Sequence, residues 1–354
     1  MKRKSDKEIM SASRPQEIFS MNPDTLEQEK EEYLEEYKPQ AYSTIKNFLV
    51  TQKVITLYRE ALEEISGSGE THNPFSESTL TIADKHGKTY EFFYHYVYDV
   101  KLGKMYVTEN NIIFVIDAKN KQYYENYVRK VTDIPKINSK TWGIVQYMFP
   151  SISANFQAED GNWIIITDKP CQIIYPLKEI LKYFDAKLKP EYVASILTRL
   201  YYFAVYLEIS RMQHNGITLD NLFFAPGKEV AEGEDFTVQD MRIVGVYGGW
   251  FFTTNSDEKI KGMPKEVFEI MPQECKKSGY SSFKVDMLSI KRLACELLGD
   301  VTGENLSDVP EPMKEWVTSS YSHKNAYEEF CAWEKVIKQS FGKHRFVSMD
   351  ISIY

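Results

Sequence analysis

The sequence changes its hydrophobic periodicity at about Pro170, and this change limits the folds open to the chain. Before it, aromatic and β-branched residues form short runs that end at Gly103 or at Asn110-Asn111, which is typical of strands joined by tight turns. The predicted strands are 89–100, 104–107, 112–116 and 163–167. One helical pattern, at 119–131, interrupts them. This half predicts a small sheet that carries one helix.

After Pro170 the apolar residues recur at helical spacing. The longest pattern runs over 190–212 and has a wide apolar face that other elements must cover. Further helices are predicted at 176–184, 286–298 and 326–339. A β-rich part followed by an α-rich part predicts an α+β fold of two lobes, 79–170 and 171–354, with a cleft between them.

The residues before these lobes predict a separate extension. Residues 1–22 carry mixed charge and little periodicity, and we expect a flexible tail there. Residues 23–75 predict a helical hairpin whose second helix, 42–65, has an apolar stripe. The stripe consists of Ile45, Leu49, Val50, Val54, Leu57, Ala61 and Ile65. A Gly- and Ser-rich linker, 66–78, follows. Such a stripe is expected to pack on the rest of the protein.

The composition excludes several classes of protein. The 354 residues are 43% hydrophobic and 14% aromatic, which suits a large core and not a disordered chain. The net charge of -8 argues against the basic face that nucleic acids or anionic membranes require. No apolar window approaches the ~18 residues of a membrane span, and no secretory signal is recognisable. The four cysteines are scattered without a CxxC pair, so neither a zinc site nor a disulfide framework is expected. We therefore expect a cytoplasmic protein that binds neither nucleic acid nor membrane.

Six short segments follow one another in an informative order. They read LGKMYV at 102–107, FVID at 114–117, HNGITLDN at 214–221, RIVGVY at 242–247, MPQE at 271–274 and DMLS at 286–289. Together they resemble the motifs of the eukaryotic-type protein kinase superfamily, over residues 88–350. The chain also resembles, more loosely, kinase-like proteins of phage and bacterial genomes. The resemblance implies a small β-rich N-lobe and a larger helical C-lobe.

The resemblance also identifies positions where the family's charged groups are missing. Asp117 lies where the family has a phosphate-binding lysine, Gly216 where it has the catalytic aspartate, and Gly245 where it has the Mg²⁺-binding aspartate. A carboxylate repels phosphates, and glycine can neither accept a substrate proton nor hold a metal ion. These three positions are therefore predicted to be degenerate.

Few of the family's ligand-binding groups are retained. Gly103 is the remaining glycine of the glycine-rich loop, and Asn221 is the remaining metal ligand. Lys119 or Lys121 is the candidate substitute for the missing lysine, and Glu125 is the candidate ion-pair partner of Lys119. The resemblance implies that His214 is a structural residue of the core.

The residues that hold the fold together in the family are present. Asp286 is implied to accept hydrogen bonds from the backbone of the loop 214–221. Glu274 is implied to pair with an arginine late in the C-lobe, for which Arg345 is the candidate.

Three interpretations follow from this pattern. The leading one is a pseudokinase, a kinase-fold protein that binds or regulates a protein partner without ordinary phosphotransfer. The second is an active but divergent ATP-dependent kinase, or another phosphoryl or nucleotidyl transferase. The third is a structural or assembly protein. The family uses ATP and Mg²⁺, but the missing groups leave neither with an assigned site. The partner surface is expected at the cleft, at the helical hairpin or at 250–252, unless that last segment folds into the core.

Overall fold

The computed structural model describes residues 79–137, 142–143, 145–227, 237–238, 241–320, 323–342 and 349. The predicted tail 1–22, the predicted helical hairpin 23–75 and Arg345 lie outside these residues. Within them, an N-terminal part that is mostly sheet precedes a C-terminal part that is mostly helix.

The N-terminal lobe is built on a six-stranded antiparallel sheet. Its strands are β1 (Thr79–Ala83), β2 (Thr89–Val100), β3 (Gly103–Thr108), β4 (Asn111–Ile116), β5 (Ser151–Gln157) and β6 (Trp163–Asp168). Their order in the sheet is β1-β2-β3-β4-β6-β5. The sheet curls so far that its two edges meet at an isolated bridge between Asp84 and Ala158. Sequence reasoning did not predict β1 or β5, because neither has a long apolar run.

The helix between β4 and β5, α1, spans Lys121–Thr132 and confirms the pattern seen at 119–131. The C-terminal lobe contains seven further helices among its described residues. They are α2 (Leu177–Tyr183), α3 (Pro190–Ile209), α4 (Lys265–Ile270), α5 (Gln273–Ser278), α6 (Phe283–Leu297), α7 (Glu311–Thr318) and α8 (Ala326–Phe341). None of the described helices is long and apolar enough to cross a membrane.

Five very short strands place the loops between the lobes. They are β7 (Tyr175–Pro176), β8 (Met212–Gln213), β9 (Leu222–Ala225), β10 (Ile243–Val246) and β11 (Thr254–Asn255). Strand β9 pairs with β7 and β10, while β8 pairs with β11. The loop 214–221 leaves β8 and the segment 247–253 leaves β10. Because both pairs are antiparallel, these two stretches lie side by side.

One apolar core continues from the underside of the sheet into the helical lobe. Met105 and Phe114 of the sheet belong to the same buried cluster as Tyr127, Phe223 and Trp250, and each is at most 1% exposed. The predicted α+β fold of two lobes is thereby confirmed. The lobes are joined by packed side chains as well as by the chain itself.

Candidate functional site

The hairpin between β2 and β3 forms the roof of the space between the lobes. Gly103 is required there by close packing, since its φ is +153° and an added Cβ would lie 2.1 Å from the carbonyl oxygen of Val115. The hairpin tip reaches the other lobe, where Lys101 Nζ donates a hydrogen bond to the carbonyl of Met263 at 3.0 Å. Gly103 therefore serves a strand contact in this structure, and the hairpin is attached to the C-terminal lobe.

Asp117 and Lys119 lie outside this space. Strand β4 ends at Ile116, and the backbone N–H of Asp117 donates a hydrogen bond to the carbonyl oxygen of Leu102 at 2.9 Å. The Asp117 carboxylate and Lys119 Nζ are 3.5 Å apart, and their side chains are 48% and 80% exposed. Glu125, the expected partner of Lys119, pairs instead with Lys121 at 3.2 Å. Position 117, which the resemblance aligns with the family's lysine, thus lies just after the strand and is exposed.

An aromatic contact occupies the interior between β4 and α1. The ring of Phe114 lies 5.4 Å from the ring of Tyr127 and 5.4 Å from that of Phe251, measured between centroids. Both Phe114 and Tyr127 are at most 1% exposed. Such pairs stabilise the core, and they leave no charge facing the cleft at this point.

The loop 214–221 is held from below by Asp286. The Asp286 carboxylate accepts hydrogen bonds from the backbone N–H groups of His214 at 2.8 Å and Asn215 at 2.9 Å. Burial raises the pKa of Asp286 to about 6, although both backbone hydrogen bonds lower it. The role that the family resemblance implied for Asp286 is therefore present in this geometry.

His214 is completely buried among aromatic rings. Its imidazole meets Trp250 edge to face at 5.1 Å and Phe203 at 5.6 Å between centroids. Burial lowers the pKa of His214 to about 3, so the ring is neutral over the physiological range. The structural role expected for this residue agrees with its surroundings.

The space beside Gly216 is filled by main chain. A Cβ added to Gly216 would lie 2.9 Å from the Cα and 3.0 Å from the carbonyl oxygen of Gly249. Gly249 has a φ of +77°, and a Cβ on it would lie 2.6 Å from His214. Each of the two positions therefore has room only for glycine, because a side chain at either one would clash with the backbone of the other unless the backbone shifts.

Gly245 lies inside strand β10, paired with Phe223 of β9. The ring of Tyr247 covers it, since a Cβ on Gly245 would lie 2.3 Å from that ring. The residue that follows the strand into the cleft is thus Tyr247, followed by Gly248 and Gly249. Tyr247 is 1% exposed, and its hydroxyl donates to the carbonyl of Tyr147 at 2.7 Å.

Asn221 ties the loop together. Its amide nitrogen donates to the carbonyl of Gly216 at 2.9 Å and to the hydroxyl of Thr218 at 3.0 Å. Its side-chain oxygen abuts the main chain, because a Cβ on Gly248 would lie 2.4 Å from it. The amide nitrogen of the expected metal ligand is therefore bonded within the loop, and its oxygen lies beside Gly248.

One face of α1 is attached to the segment 247–261. Four residues at helical spacing, 123, 126, 127 and 130, make the contacts. The Tyr123 hydroxyl donates to the carbonyl of Lys261 at 3.1 Å, and the Tyr127 hydroxyl donates to the carbonyl of Tyr247 at 2.8 Å. Asn126 Nδ2 donates to the carbonyls of Phe251 at 3.1 Å and Thr253 at 2.9 Å. Lys130 Nζ donates to Asn255 Oδ1 at 2.7 Å and to Glu258 Oε2 at 2.5 Å. The helix is held at both ends against this segment.

A second set of contacts joins the lobes on the side of α2. Tyr98 of β2 donates a hydrogen bond to the Glu179 carboxylate at 2.9 Å. Lys178 Nζ lies 3.4 Å from the centroid of the Tyr98 ring and 2.8 Å from the Asp220 carboxylate. Burial, followed by the bond to Glu179, raises the pKa of Tyr98. The roof hairpin is thus bonded to the helical lobe on two sides.

Two sequence expectations concern residues farther from the cleft. Glu274 pairs with Lys284 at 3.1 Å on the surface, while Arg345, its expected partner, lies outside the described residues. The aromatic residues Trp250, Phe251 and Phe252 are 0%, 5% and 7% exposed. This segment is buried in the core and is therefore not accessible as a docking surface.

Sequence reasoning missed two residues that organise the site. Asn215 adopts a φ of +57° and donates from Nδ2 to the carbonyl of Phe252 and the hydroxyl of Thr254, both at 3.0 Å. Asparagine tolerates this left-handed backbone, which was the available signal. Tyr127 belongs to an apolar stripe that the helical pattern revealed, but the pattern could not show that its hydroxyl bonds Tyr247.

Solved structures that resemble this chain include protein kinase domains. The PknI kinase domain of Mycobacterium tuberculosis is 10% identical, with a TM-score of 0.46 over 73% of this chain and 98% of that domain. Vaccinia related kinase 3 is 13% identical, with a TM-score of 0.47 over 78% of this chain and 94% of that one. No protein-family model and no curated protein matches the chain. At these identities the likeness concerns the fold alone.

Proposed function

We propose that this protein is a pseudokinase, which uses a kinase-like fold to bind or regulate a protein partner and does not transfer phosphate. The proposal rests on how the space between the lobes is filled. In the family that the sequence resembles, this space must admit a nucleotide with its metal ion and a catalytic carboxylate.

The observation that carries the proposal is the contact between Gly216 and Gly249. A catalytic aspartate at position 216 would begin with a Cβ only 2.9 Å from the Cα of Gly249. The obstruction is backbone, which cannot rotate away as a side chain can. In addition to the missing base, the backbone of Gly249 occupies the position that the side chain of such a base would need. Loss of a positioned base costs on the order of 10²- to 10⁴-fold in rate.

The electrostatics of the interior support the same conclusion. Phe114 and Tyr127 form an apolar pair between β4 and α1, and Lys119 points outward to Asp117. The positions that the resemblance assigns to the metal-binding and catalytic carboxylates are Gly245 and Gly216, so of that set only the Asn221 amide oxygen remains to meet the octahedral oxygen geometry of Mg²⁺. Between β4 and α1, a triphosphate would meet aromatic rings, and the nearby cations Lys101 and Lys178 are engaged with Met263 and with Asp220.

The contacts between the lobes favour a binding role over a catalytic one. Catalysis by lobed enzymes commonly requires opening and closing around a substrate. Here Lys101 and Tyr98 attach the roof hairpin to the helical lobe, and α1 is bonded to the segment 247–261. A body held in one arrangement suits presentation of a fixed surface to a partner.

A nucleotide titration tests the proposal. A ligand at ~100 times its Kd adds about 2.7 kcal/mol to the stability of the protein that binds it. We expect no change in the melting temperature with ATP and Mg²⁺ at millimolar concentration, and no label transferred from radioactive ATP to the protein or to added protein substrates. Transfer that is abolished by Asn221→Ala but retained in Asn305→Ala, the same change at an exposed distant site, would overturn the proposal.

A further inference from the structure

A groove on the concave face of the curled sheet, where its two edges meet, has no role in the cleft. It lies between β1 and the turn from β5 to β6, across the face formed by β3 and β4, and has a volume of about 550 Å³. This lies within the ~300–1,000 Å³ typical of ligand sites in proteins. Its lining includes Leu80, Ile82, Tyr106, Val115, Ala158 and Ile164.

The groove is apolar at its base and charged at its edge. Ile164 and Ile82 are 1% and 6% exposed, whereas Tyr106 and Val115 are only half-buried. Glu159, Asp160 and Lys104 lie around the rim. An apolar surface framed by polar residues is characteristic of an interaction site. Its charged rim also suits an occupant that carries charges of both signs beside its apolar residues.

The chain itself contains a segment with these properties. Residues 42–65 have an apolar stripe at helical spacing, and Lys46, Lys53, Glu60 and Glu64 lie among its polar residues. An isolated amphipathic helix must bury its stripe to be stable in water. The groove and the stripe are complementary in chemistry.

The connection between them is short. The linker 66–78 has 13 residues and ends at Thr79, the first residue of β1, which itself lines the groove through Leu80. Fully extended, 13 residues reach about 45 Å, and a flexible chain of this length has a typical span of about 20 Å. Tethers of this kind give an effective concentration on the order of millimolar. A site with an intrinsic Kd of about 0.1 mM would then be occupied about ten times more often than it is free.

We propose that residues 42–65 bind within the same molecule to this groove, with Leu57 and its neighbours in the apolar stripe packed against Val115, Tyr106 and Leu80. The N-terminal segment thereby covers the opening of the curled sheet. This inference is independent of the pseudokinase proposal, because the groove faces away from the cleft.

Hydrogen exchange of the full-length protein tests the inference. In the unaltered chain, amides of 42–65 should exchange about tenfold more slowly than in an unprotected peptide, which is the ratio of bound to free segment. Val115→Glu, which places a carboxylate in the groove, should remove this protection. Val97→Glu is the matched control, since Val97 is 43% exposed on the same sheet but does not line the groove. It should leave the protection unchanged.

A second pair of variants keeps the test decisive if Val115→Glu fails to fold. Leu57→Glu changes only the segment and should remove the protection, while Arg59→Glu, on the opposite side of the predicted helix, should not. The inference is overturned if the unaltered segment is unprotected, or if its protection survives Leu57→Glu. It is equally overturned if protection grows with protein concentration from about 1 to about 100 µM, because the occupant would then be a second copy of the chain.

Discussion

Restoring a side chain at position 216 should destabilise the protein without restoring activity. We consider Gly216→Ala and Gly216→Asp. The new Cβ would lie 2.9, 3.0 and 3.3 Å from the Cα, carbonyl oxygen and carbonyl carbon of Gly249. Overpacking of this kind costs about 1–3 kcal/mol. The aspartate adds the cost of placing a carboxylate beside a carbonyl oxygen in a buried loop.

The magnitude translates into a measurable change in melting temperature. A change of 1 kcal/mol shifts the melting temperature by roughly 2–4 °C for domains of 150–250 residues. A cost of about 2 kcal/mol therefore predicts a decrease of about 4–8 °C for Gly216→Ala, and a larger one for Gly216→Asp. Thermal unfolding followed by circular dichroism or calorimetry measures both.

A matched glycine substitution separates this contact from the general effect of adding a methyl group. Gly143 has nothing within 4 Å of an added Cβ and no positive φ. Gly143→Ala should therefore be neutral or stabilise by about 0.4–1 kcal/mol. The reasoning is refuted if Gly216→Asp melts within a degree or so of the unaltered protein, or if it acquires ATP-dependent phosphotransfer.

Three further predictions concern the loop 214–221 and its supports. Asp286→Ala leaves the backbone N–H groups of His214 and Asn215 without their acceptors, at about 1–3 kcal/mol each, and chemical denaturation should show a smaller loss for Asp286→Asn, which retains one oxygen. Tyr127→Phe removes the donor to the buried carbonyl of Tyr247 and should cost about 1–3 kcal/mol in the same assay; an unchanged midpoint would contradict the attachment of α1. Burial lowers the pKa of His214 from 6.5 to about 3, so unfolding takes up a proton across this window and stability falls as the pH falls through it. Compared with His214→Phe, the unaltered protein should lose up to about 1.4 kcal/mol per pH unit more between pH 6.5 and 4. Burial raises the pKa of Asp286 to about 6, which changes stability with pH in the opposite direction. This contribution is the same in both proteins if the substitution leaves the surroundings of Asp286 unchanged, so it cancels in the difference. Parallel pH profiles of the two proteins would show that His214 is not buried as a neutral ring.

The sequence allowed the fold class and several roles in the loop to be predicted. The strands β2, β3, β4 and β6 and the long helix α3 follow from alternation and helical spacing, which depend on neighbouring residues alone. The pairing of Asp286 with the loop 214–221 was predicted from family resemblance, and the structure has the corresponding hydrogen bonds.

Residue positions near the ends of strands were less predictable. The sequence aligned Asp117 with the family's lysine but did not show which way its side chain points; in the structure β4 ends at Ile116 and the carboxylate pairs with Lys119 at the surface. The orientation of a strand residue alternates with every step. An error of one residue in alignment therefore moves a side chain from the interior to the solvent.

By itself, the sequence determined that this protein has a sheet-rich lobe followed by a helical one, and that glycines stand at 216 and 245, where the motifs it resembles have carboxylates. Periodicity and residue identity are local properties, and they are readable without coordinates. Only the tertiary structure decided that a side chain at position 216 would meet the backbone of Gly249, and that Phe114 meets Tyr127 across the interior. These contacts join residues far apart in the chain, so they depend on how the lobes pack together.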